Sequence, residues 1–168
     1  MRFDLESSQI RSPPGSVSEV PASMEPKWEE RFDANLGPFA QILMNALVVE
    51  DSPRISERLV ELVSIPGQVE VVATAETESE ATEACNAYDI DLAIVDLQLS
   101  EGTGFGVIRA LRAGGRQRRA CIVVLTNHAV PALRNAAFAA GADYFLDKSK
   151  DFATLPQLID QLLAGRKN

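Results

Sequence analysis

The sequence predicts an α/β fold, a parallel sheet covered by helices on both faces, and three observations carry that prediction. Short apolar runs recur at Ala46–Val49, Val69–Ala73, Leu92–Val95, Cys121–Leu125 and Tyr144–Leu146. A stretch with helical spacing of apolar residues follows each run. The connections are short, so strand and helix alternate strictly in five β-α units.

The elements read as follows. The runs beginning at residues 46, 92 and 121 are nearly continuous and rich in β-branched residues, as strands covered on both faces are. The run at 69 is broken only by Glu70, and the last is short. Ile55, Leu59, Leu62 and Val63 share one helical face, and Thr77 with Glu80 forms a capping box ahead of Ala81, Ala84, Cys85 and Tyr88. Phe105, Ile108 and Leu111 follow Gly104. Leu133, Ala136, Ala137 and Ala140 begin just after Pro131 and stop at Gly141, the usual order of proline at a helix start and glycine past its end. Leu155, Leu158, Ile159, Leu162 and Leu163 form the last helical face.

Upstream of the first strand the texture changes. Up to Pro26 the chain is rich in Ser, Pro and Glu and lacks apolar periodicity, which predicts disorder. From Lys27 to Met44, Trp28, Phe32, Leu36, Phe39, Ile42 and Leu43 fall at roughly helical spacing, interrupted by Gly37-Pro38. The expected organisation is a largely disordered extension over residues 1–44, a folded domain over 45–164 and a tail over 165–168.

Composition narrows the function classes. A net charge of -8 disfavours direct nucleic-acid binding, because phosphate backbones select the opposite sign. The basic stretch Arg112–Arg119 reads as a solvated loop between the third helix and the fourth strand. No apolar run is long enough to span a membrane, and the N-terminus has no apolar stretch suited to an export signal. Cys85 and Cys121 lie within predicted elements at no metal-ligand spacing, and a cytoplasmic setting with two buried thiols is expected.

The chemistry gathers at the carboxyl ends of the strands, where open parallel sheets bind their ligands. The first strand ends in Glu50-Asp51, the third in Asp96, the fourth in Thr126 and the fifth in Asp147-Lys148. Taken singly, each is an ordinary cap or loop residue. Together they bring carboxylates, a hydroxyl and an ammonium to one rim. Clustered carboxylates repel unless a cation joins them, and an oxygen-only set with open positions suits Mg²⁺. A carboxylate beside such a metal can attack phosphorus and form an aspartyl phosphate. The metal and Lys148 would offset charge on the transferred oxygens.

These residues also carry a resemblance. Leu47-Val48-Val49-Glu50-Asp51, Val95-Asp96-Leu97, Val124-Leu125-Thr126 and Phe145-Leu146-Asp147-Lys148 resemble, in order and spacing, the landmarks of response-regulator receiver domains of two-component systems. Gly104, eight residues past Asp96, falls where that family usually has glycine. The resemblance implies a flavodoxin-like doubly wound (βα)5 fold with a five-stranded parallel sheet in the order 2-1-3-4-5. It implies Asp96 as phosphoacceptor, with Asp51 binding Mg²⁺ directly, Glu50 acting largely through water and the Gln98 backbone carbonyl as a further ligand. Lys148 would contact the phosphoryl group, Thr126 would turn towards it, and the Phe145 rotamer would follow. His128, two residues past Thr126, lies at a position close to the acceptor in that family.

Two departures stand out. The family usually has proline after the lysine, in a cis peptide, where this chain has Ser149; Ser100 stands where a proline is common in the loop after the acceptor. Neither removes a reacting group. The expected partners are a histidine kinase or phosphotransfer protein and a downstream protein target. Only Ala164–Asn168 follow the last predicted helix, so a stand-alone receiver without an output domain is expected. It would be no enzyme beyond its own phosphorylation and dephosphorylation. A phosphorylation-independent scaffold is the alternative. An aspartate-nucleophile phosphatase fits less well, because Asp96-Leu97-Gln98 lacks that class's second aspartate.

Overall fold

The computed structural model describes residues 43–114 and 120–166. The expected N-terminal extension up to residue 42, residues 115–119 of the basic stretch and residues 167–168 lie outside them. Five strands form one parallel sheet: β1 (Met44–Val49), β2 (Val69–Ala75), β3 (Leu92–Val95), β4 (Cys121–Thr126) and β5 (Tyr144–Asp147). The helices are α1 (Pro53–Val63), α2 (Glu78–Ala87), α3 (Gly104–Ala113), α4 (Pro131–Ala140), a single turn α5 (Lys148–Asp151) and α6 (Leu155–Arg166). A 3-10 turn, Phe152–Thr154, joins the last two. The strand order is β2-β1-β3-β4-β5, as the resemblance implied.

Strand alternation divides the apolar runs between two cores. Leu47 and Val49, Ala93 and Val95, and Ile122 and Val124 point to one face, where they meet Ala81, Ala84 and Cys85 of α2, Val107, Ile108 and Leu111 of α3, and Ala137 of α4. Their sequence neighbours Ala46 and Val48, Leu92 and Ile94, and Cys121, Val123 and Leu125 point to the other, against Leu59 and Val63 of α1 and the leucines of α6. Because both faces are covered, these strands tolerate no polar alternation. Each large side chain buried there contributes about 1.5–3 kcal/mol, so Ile94 and Ile122 each matter to both strand and helix placement. The strand order reverses between β1 and β3, which opens a crevice above their carboxyl ends.

Several details differ from the sequence expectation. Met44 belongs to β1 and is buried, with its N–H donating to the Gln68 carbonyl at 2.8 Å, so the folded domain begins inside the expected extension. On α4, Leu133, Ala137 and Ala140 face the core as expected, but Ala136 is exposed and Phe138 joins that face, its ring centroid 6.5 Å from that of Phe145. Tyr88 is the exposed C-cap of α2 rather than part of its apolar face. Arg112 is no loop residue. It lies on α3 and ties the amino-terminal end of the sheet together, donating to the Gly141 and Ala120 carbonyls and pairing with Asp143 at 2.8 Å.

Other signals read as expected. Thr77 Oγ1 accepts from the Glu80 N–H, while the Glu80 carboxylate reaches back to the N–H of Glu76, one residue before the cap. Pro131 opens α4, and Gly141 closes it at a φ of 114°, a left-handed value that favours glycine. Cys85 and Cys121 are buried, and burial pushes the Cys85 thiol pKa up. Among the described residues no helix is long and apolar enough to cross a membrane.

Candidate functional site

The site is assembled by the strand ends. β1 and β3 lie side by side in register, with Val49 opposite Val95, so the next residues, Glu50 and Asp96, leave the sheet together. The Glu50 N–H donates across to Ala75 of β2 and the Asp96 N–H to Val49 of β1, which pins both backbones as they leave the ladder. β4 and β5 bring up Thr126 and Asp147 opposite each other, and Lys148 follows at once. Carboxylate oxygens of Glu50, Asp51 and Asp96 lie within 4.8 Å of one another. Glu50 and Asp96 are buried, while Asp51 is the more open member.

Lys148 holds the two buried carboxylates. Its Nζ donates to Asp96 Oδ2 at 2.6 Å and lies 2.5 Å from Glu50 Oε2. Burial works against the ammonium, but its bonds and charge interactions with Asp96 and Glu50 outweigh this and raise the Lys148 pKa above the ordinary lysine value. Burial also pushes the Glu50 carboxyl above its usual range, against the opposing pull of Lys148. Asp96 Oδ1 accepts from the Gln98 N–H at 3.2 Å, so both its oxygens are engaged.

The rest of the rim is equally fixed. Thr126 is fully buried and its Oγ1 accepts from the His128 N–H at 3.3 Å, which leaves the hydroxyl proton to donate elsewhere. Phe145 is buried one strand away, opposite Val124, a residue on the same face of β4 as Thr126. His128 is exposed, and its backbone is the part of it that serves the site.

Asp147 departs from the expected convergence. Its side chain turns away from the cluster and caps α5, with Oδ1 accepting from Ser149 N at 2.8 Å and Ser149 Oγ at 2.6 Å. Those bonds from Ser149 hold the Asp147 carboxyl below its usual pKa. The Lys148-Ser149 peptide is trans, and the chain enters a helical turn at Lys148. A proline at 149 could not donate the capping N–H, so the serine and the aspartate form one device.

Gly104 is where the local fold needs it. A Cβ there would run into the Asp96 carbonyl and stand 2.8 Å from Leu97 Cα, so α3 starts this close to the acceptor strand only with glycine. Sequence reasoning missed Glu78, the first residue of α2, whose carboxylate accepts from the Thr103 N–H at 2.8 Å in the loop after Asp96. The signal available for it was three glycines, Gly102, Gly104 and Gly106, within five residues of that loop.

The donor set fits a hard divalent cation. It is all oxygen and carries excess negative charge, three carboxylates against the one ammonium of Lys148. Comparison with known proteins agrees with the architecture. The family model described as response regulator receiver domain matches residues 46–160. The nitrate/nitrite response regulator NarP of Escherichia coli is 31% identical over 122 residues, covering 72% of this chain and 54% of that protein. A LuxR-family two-component response regulator from Aurantimonas sp. is 32% identical with a TM-score of 0.64, covering 73% of this chain and 86% of that one. The receiver domain of the NarL-type regulator of Mycobacterium tuberculosis is 26% identical at the same TM-score, covering 73% and 98%. The chain spans about half the length of the curated relatives it matches.

Proposed function

Because this chain belongs to the response regulator receiver domain family, we propose that Asp96 accepts a phosphoryl group in a Mg²⁺-dependent reaction and that the chain signals through protein contact. The observation that carries this reading is the Lys148 ammonium seated between Glu50 and Asp96 in a cluster of three carboxylates. Any buried carboxylate needs a counter-charge, and here that charge also stands where it can meet a transferred phosphoryl group.

Asp51, Asp96 and the Gln98 carbonyl would hold the metal, with Glu50 acting through water. When bound, Mg²⁺ offsets negative charge on the phosphoryl oxygens. The remaining work falls to the chain. A carboxylate oxygen of Asp96 attacks phosphorus as the bond from phosphorus to the donor, the imidazole nitrogen of a phosphohistidine, breaks. The electron pair leaves with the imidazole, and the product is an acyl phosphate. Lys148 stays charged and exchanges part of its grip on Asp96 for the new phosphoryl oxygens. The buried Thr126 hydroxyl donates to one of them. The phosphoryl source is a histidine kinase or phosphotransfer protein, and the chain catalyses no reaction beyond its own modification. The matched relatives extend well past the receiver span, so the target is part of the proposal: a protein that reads the face built from α4 and β5.

Intact-mass spectrometry tests the reading. Incubation with acetyl phosphate and Mg²⁺ should add one acid-labile phosphoryl group to the wild type and none to Asp96→Asn. Equal labelling of the variant would overturn the assignment.

A further inference from the structure

The loop that carries the Gln98 carbonyl is fastened from outside the site by one side chain. Glu78 stands at the start of α2, and its Oε2 accepts from the Thr103 N–H at 2.8 Å. Its own N–H donates to the Glu101 carbonyl at 3.0 Å, and the Ser100 hydroxyl donates to the Glu76 carbonyl next door. Thr103 in turn pairs with Gln98 across a small antiparallel bridge, and the Gln98 N–H donates to Asp96 Oδ1. The bond that closes this bridge runs from the Gly104 N–H to the Leu97 carbonyl at 3.0 Å, so Glu78 is linked to the acceptor carboxylate through the bridged backbone of residues 97–98 and 103–104.

Two glycines clear the space that this carboxylate fills. A Cβ on Gly102 would stand 2.6 Å from Glu78 Oε2, and one on Gly106 would stand 2.5 Å from the same atom. Gly102 also has a φ of 78°. A glycine inside a helix weakens it, so Gly106 within α3 calls for a packing reason, and the Glu78 carboxylate supplies one. Neither Glu78 nor these two glycines touches the reacting groups.

We propose that Glu78 is a positioning residue for metal binding: it holds the loop over residues 98–103 so that the Gln98 carbonyl faces the carboxylate cluster before any cation arrives. The proposal rests on the Mg²⁺ site proposed above. Side chains that orient metal ligands at one remove typically affect affinity by 10–100-fold, and a backbone carbonyl on an unanchored loop loses the same preorganisation.

The test uses the full chain and Mg²⁺ alone, titrated by amide NMR. Glu78→Ala should weaken Mg²⁺ binding on the order of tenfold and speed hydrogen exchange at Thr103 without metal. Glu78→Gln, whose amide oxygen can still accept from Thr103, should keep near-wild-type values in both. Gly106→Ala leaves residue 78 unchanged but expels its carboxylate, so it should reproduce Glu78→Ala, and the double variant should be no weaker than either. These results together support the role. Glu78→Ala or Gly106→Ala binding Mg²⁺ as tightly as the wild type overturns it while leaving the metal site intact. A wild type that binds no Mg²⁺ overturns the metal site itself.

Discussion

Lys148 and Asp96, 52 residues apart in the chain, meet in a buried ion pair of 2.6 Å that Glu50 shares. Removing the ammonium leaves two buried carboxylates facing each other without a counter-charge. Breaking a buried pair on one side costs about 3–5 kcal/mol, so Lys148→Met should lower the unfolding free energy by about 3 kcal/mol in urea without metal. Mg²⁺ replaces the missing positive charge, and at a hundred times its dissociation constant it should restore about 2.7 kcal/mol. Phosphorylation should still be slower than in the wild type, on the order of a hundredfold, because charge on the transferred oxygens goes unmatched.

The pH dependence of the metal-free protein should carry the mark of Glu50. Burial raises its folded pKa above the ordinary 4.5, so the folded state holds a proton that the unfolded chain has released. The associated stability is fully present below pH 4.5 and is lost as pH rises through the raised folded value. Glu50→Gln removes that component. The difference between wild type and variant, measured as urea midpoints across this window, should shift against the wild type as pH rises. A difference that does not change with pH would contradict the burial argument.

Thr126 and Phe145 should separate acceptance from response. Thr126→Ala keeps Asp96, Asp51 and Lys148 and should still take phosphate. It removes the hydroxyl that would turn towards the phosphoryl group, so the space beside Phe145 no longer changes when phosphate arrives. Beryllofluoride, a mimic of the aspartyl phosphate, should shift amides across 130–140 and around Phe145 in the wild type, and mainly those of the rim in the variant. Wild-type shifts confined to the rim would rule the coupling out.

Gly104→Ala probes the acceptor loop by sterics alone. The added Cβ meets the Asp96 carbonyl and Leu97 backbone, neither of which is a flexible side-chain tip. Overpacking of this kind typically costs 1–3 kcal/mol, and a stability loss of about 2 kcal/mol is expected by thermal or urea unfolding. Labelling of Asp96 should slow as well, since its backbone must shift. A variant as stable as the wild type would show that α3 can slide away from β3.

The strands were legible because the buried runs have only one reading once helical stretches separate them. The rim was legible because Glu50, Asp51, Asp96, Thr126 and Lys148 each lie at or just past the end of a strand, and parallel strands end on one side. Asp147 shows the limit of that logic: it also ends a strand, yet a one-residue step takes its side chain out of the cluster and onto the Ser149 N–H. Met44 was hidden because a lone methionine before an apolar run looks the same in a tail or a strand. On α4 only Ala136 was misplaced, because alanines at 136, 137, 139 and 140 give little periodic contrast, and Phe138 joins Leu133, Ala137 and Ala140 on the core face. Glu78 was invisible for a different reason. Its partner lies 25 residues away and offers only a backbone N–H, which any residue type but proline would supply.

The order in which the site's parts leave the ribosome follows from Lys148 standing after the last strand. Glu50, Asp51 and Asp96 are synthesised first, and until β5 emerges they have no ammonium to draw them together. A nascent or truncated chain thus presents mutually repelling acids where the finished one presents a receptive pocket. On the function proposed above, a fragment ending before residue 148 would leave a phosphodonor unspent.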